Sequence, residues 1–178
     1  FLIEPQQRQF SLSENMPVPD LLTHLGLFEG VQLTHAAVLL FGRDPQRFIP
    51  AASIKCVHFH GPGVQKPIPS YQVFSGTLFE LVDQALDFVL SKVAQRVGTR
   101  SQGAQAPVDY ELPRDAVAEA IVNAVAHRDY TDNSSVQVML FSDRLEVWNP
   151  GALPPSLTPE RLHRTHPSIP RNPKLARA

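Results

Sequence analysis

Cysteine is nearly absent from this sequence, which contains one residue of that type, Cys56. A single cysteine excludes an intramolecular disulfide framework and favours a reducing compartment, so we expect a cytosolic protein. Cys56 lies in an alternating apolar run, which predicts a small buried side chain. The sequence also lacks an apolar run of the roughly 20 residues that span a bilayer, and it lacks a secretion signal. We therefore expect no membrane partner.

An excess of one charge sign is missing too. The chain has 16 Lys plus Arg against 17 Asp plus Glu, so the chain as a whole is not a polybasic nucleic-acid binder. Its 178 residues, 43% of them hydrophobic, suffice for one sizeable core or two small ones. Phe1 is not an initiator methionine, and residues 174–178 have the pattern of a helix start. We expect the chain to be part of a longer protein.

The first half contains several local signals. Alternating apolar residues over 53–60 predict a half-buried strand, and apolar residues at helical spacing over 76–97 predict a long amphipathic helix. Residues 33–41 are apolar throughout, and their periodicity leaves strand and short helix equally open. Asp20 is a candidate cap for a short helix that ends at Gly26.

A stretch at 98–106, rich in Gly, Ser, Gln and Ala, has the composition of a flexible linker. It divides the chain into an α/β region, 1–106, and a second region, 107–178. The second region begins with an extended piece that leads through Pro113 into a helix over 114–127. An alternating hairpin follows over 136–148, and a short helix is predicted over 158–163.

The helix over 114–127 carries the chemistry. At about 100° per residue, its apolar residues gather on one side and three polar residues gather on the other, each four residues from the next. The polar residues are Glu119, Asn123 and His127. Asn123 offers the hard oxygen that magnesium prefers, Glu119 is suited to ligation through water or to general-base work, and His127 to a hydrogen bond with a phosphate. From spacing alone, a solvated polar stripe is the simpler interpretation.

Residues 119–127 resemble the N-box of the GHKL ATPases, the group of gyrase and the histidine kinases. The wider pattern resembles the GHKL-like domain of bacterial Schlafen-type, AlbA-containing transcriptional regulators, often labelled RecG-like ATP-dependent DNA helicases. That pattern comprises Leu112-Pro113, the string His-Arg-Asp-Tyr at 127–130 and the string Trp-Asn-Pro-Gly at 148–151. Strings at 25–27, 37–45 and 74–76 are similar to the same family's middle region, so the resemblance covers most of the chain.

The resemblance implies an α+β fold (an α/β sandwich) with an antiparallel or mixed sheet, helices on one face, and a Bergerat-like ATP-binding fold in the second half. It implies ATP and magnesium as cofactors of the full-length protein. Asn123 corresponds to the magnesium ligand and Glu119 to the carboxylate that activates water. His127, Asn149 and Gly151 complete the implied nucleotide site.

The sequence departs from the family pattern after the hairpin. The usual Asp-x-Gly-x-Gly box reads Asn149-Pro150-Gly151-Ala152-Leu153 here. An asparagine still accepts a hydrogen bond through its carbonyl oxygen, but without charge, and the second glycine is replaced. A later glycine-rich box, which cradles phosphates with backbone amides, lies beyond Ala178. We therefore expect no ATP hydrolysis by this fragment, and nucleotide binding only by the intact protein.

Two functions remain open. One is a nucleotide-responsive regulatory domain of a homo-oligomeric transcriptional regulator that contacts DNA through regions outside this fragment. The other is a degenerate GHKL fold that serves dimerisation or scaffolding without a ligand. A helicase has no support, because the phosphate loop G-x-x-x-x-G-K-[ST] is missing. The basic residues after Glu160 suit either phosphate contact or a solvated loop: Arg161, Arg164, Arg171, Lys174 and Arg177.

Overall fold

A computed structural model describes residues 17–93, 95–97, 108–155, 157–158, 161 and 169–177. Within these ranges helices and short strands alternate along the chain. The helices are α1 Val18–His24, α2 His35–Phe41, α3 Leu78–Leu90 and α4 Arg114–Ala126. The strands are β1 Phe28–Glu29, β2 Gln32–Leu33, β3 Ile54–His58, β4 Ser70–Phe74, β5 Gln95–Val97, β6 Val108–Tyr110, β7 Val136–Leu140 and β8 Leu145–Trp148.

The main sheet has four strands in the order β4-β3-β7-β8. The pairs β3–β4 and β7–β8 are antiparallel, whereas β3 and β7 run parallel with Ile54 opposite Val136. Two small antiparallel pairs, β1–β2 and β5–β6, lie apart from it. The sheet is therefore mixed, and the predicted α+β class is confirmed.

One face of the sheet forms the core. Ile54, Cys56, Val136 and Val138 alternate with partly exposed neighbours, and each is at most 1% exposed. They pack in one cluster with the apolar faces of α3 and α4, so both helices cover the same face of the sheet. Burial raises the pKa of the Cys56 thiol to about 12, as expected for a cysteine that acts as a small core residue.

Helix α3 is shorter than predicted. It begins after Thr77, whose hydroxyl accepts from the Glu80 amide while the Glu80 side chain accepts from the Thr77 amide, a reciprocal capping box. It ends at Leu90, and β5 pairs with β6 where the helix was expected to continue to residue 97. The valines of this stretch suit a strand as well as a helix, and the pairing with β6, which the sequence pattern does not contain, decides between them.

The ambiguous residues 33–41 form α2, because the Thr34 hydroxyl accepts from the Ala37 amide at 3.3 Å and caps the helix. Asp20 lies inside the first turn of α1, which starts one residue after Pro17, so the prediction that it caps the helix was wrong. The strand β4 was not predicted, because the proline-rich segment before it obscures its short alternation.

The two regions predicted on either side of residue 106 contribute two strands each to the same sheet. The buried hydroxyls of Ser53 and Ser135, just before β3 and β7, are 2.9 Å apart and join them further. The division into two family regions stays a prediction. The predicted linker at 98–106 and most of the predicted helix at 158–163 lie outside the described residues. Among the described helices, none is long and apolar enough to cross a bilayer.

Candidate functional site

Helix α4 presents two faces, as its sequence predicts. Val117, Ile121 and Val125 are buried against the sheet. Glu119 and Asn123 are exposed on the opposite side, and His127, the residue that ends the helix, is half-buried. Residues four apart on a helix are about 6 Å apart along its axis, so the three side chains form a row.

The side chains of Glu119, Asn123 and His127 have no hydrogen bond or ion pair to any residue in the described part of the chain. A polar group that holds the fold together would be engaged by a neighbour. These three are therefore available to a ligand, and the fold does not depend on them.

Asn149 follows β8 and turns its side chain towards the end of α4. Its Nδ2 donates to the Ala124 carbonyl oxygen at 3.2 Å. Because a carbonyl only accepts, the amide must present nitrogen to the helix and hold its Oδ1 as an acceptor for another group. A carboxylate at this position would instead face the Ala124 carbonyl with a second acceptor. The replacement of the usual aspartate by Asn149 thus has a structural reason.

Pro150 and Gly151 continue the contact with α4. The Asp129 amide donates to the Pro150 carbonyl at 2.6 Å. A Cβ atom at Gly151 would lie 3.0 Å from the His127 carbonyl oxygen, closer than side chains normally approach. Position 151 therefore requires glycine because the two backbones meet there. Three predicted site residues, His127, Asn149 and Gly151, come together at the C-terminal end of α4.

The loop after α4 is built around Arg128, which is 1% exposed. Its guanidinium donates to the Ser134 carbonyl at 2.8 Å and lies 4.9 Å from the centre of the Tyr130 ring. The Tyr130 hydroxyl in turn donates to the Val125 carbonyl at 3.0 Å. Burial lowers the pKa of Arg128, and the side chain shapes the loop instead of contacting a ligand.

Asp129 caps the following turn. Its carboxylate accepts from the Thr131 amide at 2.9 Å and from the Thr131 hydroxyl at 2.6 Å. These bonds, with the nearby cations Arg171 and Arg128, hold the pKa of the Asp129 carboxyl below its usual value. Of the two arrangements that the sequence left open for Asp129, capping of the next turn is the one observed, and its ion pair is with Arg171 at 2.9 Å.

Asn172 and Arg171 were missed as functional candidates. Asn172 Nδ2 donates to the carbonyls of Ala126 at 2.9 Å and Arg128 at 2.7 Å. Arg171 bonds the Asp129 carboxylate and also the Ala152 carbonyl at 3.3 Å. No sequence signal connects these residues to α4, more than 40 positions earlier, although asparagine is a common partner of exposed backbone groups.

No group of three His, Cys, Asp or Glu side chains that could hold a metal occurs within the described ranges. A magnesium ion needs no such group, because it keeps several waters and binds through one or two protein oxygens plus phosphates. Asn123 supplies such an oxygen in the last turn of α4, where the helix dipole favours a cation. The residues present therefore fit magnesium bound together with a nucleotide.

The remaining predicted groups do not join this site. His58 is half-buried and its ring centre lies 5.1 Å from that of His60. Burial, and then the positive charges of His60 and Lys92, lower the pKa of His58. In the basic tail, Arg171 is paired with Asp129, and Lys174 with Glu29 at 3.0 Å. Arg164 lies outside the described residues.

Comparisons with known proteins agree with the resemblance. Residues 133–178 match the family described as "Putative ATP-dependent DNA helicase recG C-terminal", a HATPase-type family. The GHKL-type, RecG-like assignment is thereby confirmed for that part of the chain. The match includes β7, β8, Asn149 and Gly151, and begins after α4.

The chain is also similar to a solved structure, the DIP2311 protein from Corynebacterium diphtheriae. The two share 26% sequence identity with a TM-score of 0.68 over 91% of this chain. The similar part is 32% of the other protein, so this chain spans about a third of its length. A comparison with curated proteins gave no match.

Proposed function

We propose that this chain is the nucleotide-responsive part of a regulatory protein, and that it binds ATP or ADP with magnesium at the C-terminal half of α4. The observation that carries the proposal is the set of unengaged polar groups in this place. Asn123 and His127 are free of partners among the described residues, and Asn149 directs an unused amide oxygen away from the same helix end. The match of residues 133–178 to a HATPase-type family supports it.

Each group has a proposed role. Asn123 ligates magnesium through its side-chain oxygen, and His127 donates to a phosphate. Asn149 Oδ1 accepts from the amino group of adenine, while Gly151 lets the backbone come close. Glu119, one turn before Asn123, is the tentative general base for an attacking water. The nucleotide supplies the phosphoryl group and its charge.

We further propose that the longer protein is a homo-oligomeric transcriptional regulator in the cytoplasm and binds DNA through regions outside these residues. The paired state of Arg171 and Lys174 supports a DNA contact elsewhere, because ion pairs within the chain already neutralise these cations. Nucleotide binding would then act on a distant DNA-binding region by favouring one arrangement of the protein.

Nucleotide-induced thermal shift of the intact protein tests the proposal. A ligand at about 100 times its Kd stabilises the folded state by about 2.7 kcal/mol, so ADP with magnesium should raise the Tm measurably. Asn123→Ala should remove most of the magnesium-dependent part of the shift, because it removes the ligand oxygen.

Asn133→Ala is the matched control, since Asn133 is an exposed asparagine with no partner among the described residues. It should respond to nucleotide like the wild type. If Asn123→Ala responds as strongly as this control, the assignment of the metal ligand is wrong. If the wild type shows no shift with either nucleotide, the nucleotide-binding proposal itself fails.

A scaffold function without a ligand is the second candidate, and one observation favours it. The sheet face turned away from α3 and α4 carries exposed apolar side chains: Tyr71 is 54% exposed, Val73 49% and Trp148 59%. Exposed apolar patches often mark contacts with other proteins. This candidate predicts a concentration-dependent oligomer, measurable by sedimentation, that Tyr71→Ser weakens and that nucleotide does not affect.

A further inference from the structure

Residues 171–175, here called the latch, lie across the C-terminal end of α4. Asn172 contacts two carbonyls there, and Arg171 contacts the loop that follows. Leu175 packs against the apolar cluster of Leu27, Ala36 and Ala37 and also reaches the main core. The latch thus connects the helix that carries the candidate site with the first part of the chain.

The Asn172 amide is matched to the end of the helix. The last carbonyls of a helix lack partners within it, and a carboxamide nitrogen has two hydrogens to donate. Asn172 uses them on the carbonyls of Ala126 and Arg128, the two neighbours of His127. One side chain therefore fixes the backbone on both sides of a candidate nucleotide-binding residue.

Arg171 reaches the other side of the same site. Its guanidinium joins the Asp129 carboxylate, after α4, to the Ala152 carbonyl, after Gly151. The direct bond from the Asp129 amide to the Pro150 carbonyl runs in parallel with this bridge. The distance between the end of α4 and the Asn149–Gly151 corner is consequently set by the latch as well as by the corner itself.

We propose that Asn172 and Arg171 are positioning residues for the nucleotide site. They hold His127 and the corner at 149–151 in the arrangement that binds the nucleotide, without touching it. This inference rests on the proposed function. Positioning groups of this kind matter because a displacement of about 1 Å at a site markedly weakens its action.

The test uses the intact protein, with Kd for magnesium ADP measured by calorimetry. Asn172→Ala should weaken binding about tenfold, equivalent to the loss of roughly 1.4 kcal/mol, while Asn133→Ala stays at the wild-type value. Asn172→Asp provides a readout that a purely structural role would not affect. Its ionised carboxylate cannot donate to carbonyls, but the protonated acid can, so binding should recover as the pH falls through the carboxyl pKa, unlike in Asn172→Ala.

Amide hydrogen exchange without nucleotide gives a second, independent measurement. In Asn172→Ala the amides of His127 and Asp129 should exchange faster than in the wild type, because the backbone around them is released. If the wild type binds no nucleotide, the proposed function fails, and this measurement still decides whether Asn172 fixes the helix end. Unchanged exchange there overturns the positioning role.

Equal affinity of Asn172→Ala and wild type for magnesium ADP also overturns it. If Asn172→Ala does not fold, Arg171→Lys serves instead. That variant keeps a charge opposite Asp129 but cannot bridge to Ala152 in the same way. It should bind magnesium ADP several-fold more weakly, and wild-type binding by this variant would contradict the inference.

Discussion

Backbone carbonyls at the end of α4 determine which side chains surround the candidate site. The carbonyls of Val125, Ala124 and Ala126 receive hydrogen bonds from Tyr130, Asn149 and Asn172, respectively. Each donor comes from a different part of the chain, and each satisfies an acceptor that the helix leaves unpaired. The helix end is therefore built from three directions, while Asn123 on its outer side remains without a partner.

Gly151→Ala should destabilise the protein by about 1–3 kcal/mol, because the new Cβ would crowd a backbone oxygen that cannot easily move. That Cβ would lie 3.0 Å from the His127 carbonyl. Gly63→Ala is the control, since a Cβ there meets nothing within 4 Å. Urea unfolding measures both, and equal free energies of unfolding for the two variants would show that the close approach at position 151 is unimportant.

At the scale of elements, capping explains where helices begin. Thr34 starts α2, and Thr77 with Glu80 starts α3, whereas α4 begins after Pro113 without a side-chain cap. The segment before α3 is fixed as well, because Gly76 exchanges hydrogen bonds with the Gln46 side chain and has a φ of +134°. The position of α3 follows from these contacts, and α3 supports α4.

Thr77→Ala should lower the free energy of unfolding by about 1 kcal/mol through loss of the cap, and Thr77→Ser should retain most of it. The capping box also predicts a pH dependence. Hydrogen bonds from the Thr77 amide and hydroxyl hold the pKa of the Glu80 carboxyl below its ordinary value.

Because that pKa is lower in the folded state, the contribution of Glu80 is full above its ordinary pKa and is lost as the pH falls through the folded-state pKa. The stability difference between wild type and Glu80→Gln should therefore shrink from neutral pH to about pH 3. Urea unfolding at both pH values checks it, and a difference that grows on acidification would contradict the assigned cause.

At the scale of the whole molecule, one core unites the chain on both sides of residue 106. The parallel pairing of β3 with β7 places the two regions in one sheet, and α3 packs beside α4 in one apolar cluster. A parallel pair needs a long connection between its strands, and the chain from α3 to α4 supplies it. We expect the two regions to unfold together.

Leu81→Ala should lower stability by about 3 kcal/mol, because Leu81 is 1% exposed and its truncation leaves a cavity. Trp148, the single tryptophan, reports on the second region. Its fluorescence transition and the transition in circular dichroism should shift together. Phe79→Ala, at a residue that is 47% exposed, should cost less than about 1 kcal/mol. Separate transitions would mean that the regions unfold independently.

The sequence by itself determined the local features of this protein. The period of apolar residues located α4, β3 and the β7–β8 hairpin, because a buried face leaves a regular trace in the order of residues. The strings at 119–130 and 148–151 indicated the HATPase-type resemblance, which the match over 133–178 confirms. The pattern also separated Glu119 and Asn123 from the core face of α4, since helical geometry alone fixes that separation.

Only the tertiary structure decided the contacts between distant segments. It ended α3 at Leu90 in favour of a strand pair, joined both regions in one sheet, and brought Arg171 and Asn172 to the end of α4. Hydrogen bonds between side chains and distant carbonyls leave no periodic trace, because their partners are set by packing and not by spacing along the chain. The groups that surround His127 are for this reason visible only in three dimensions.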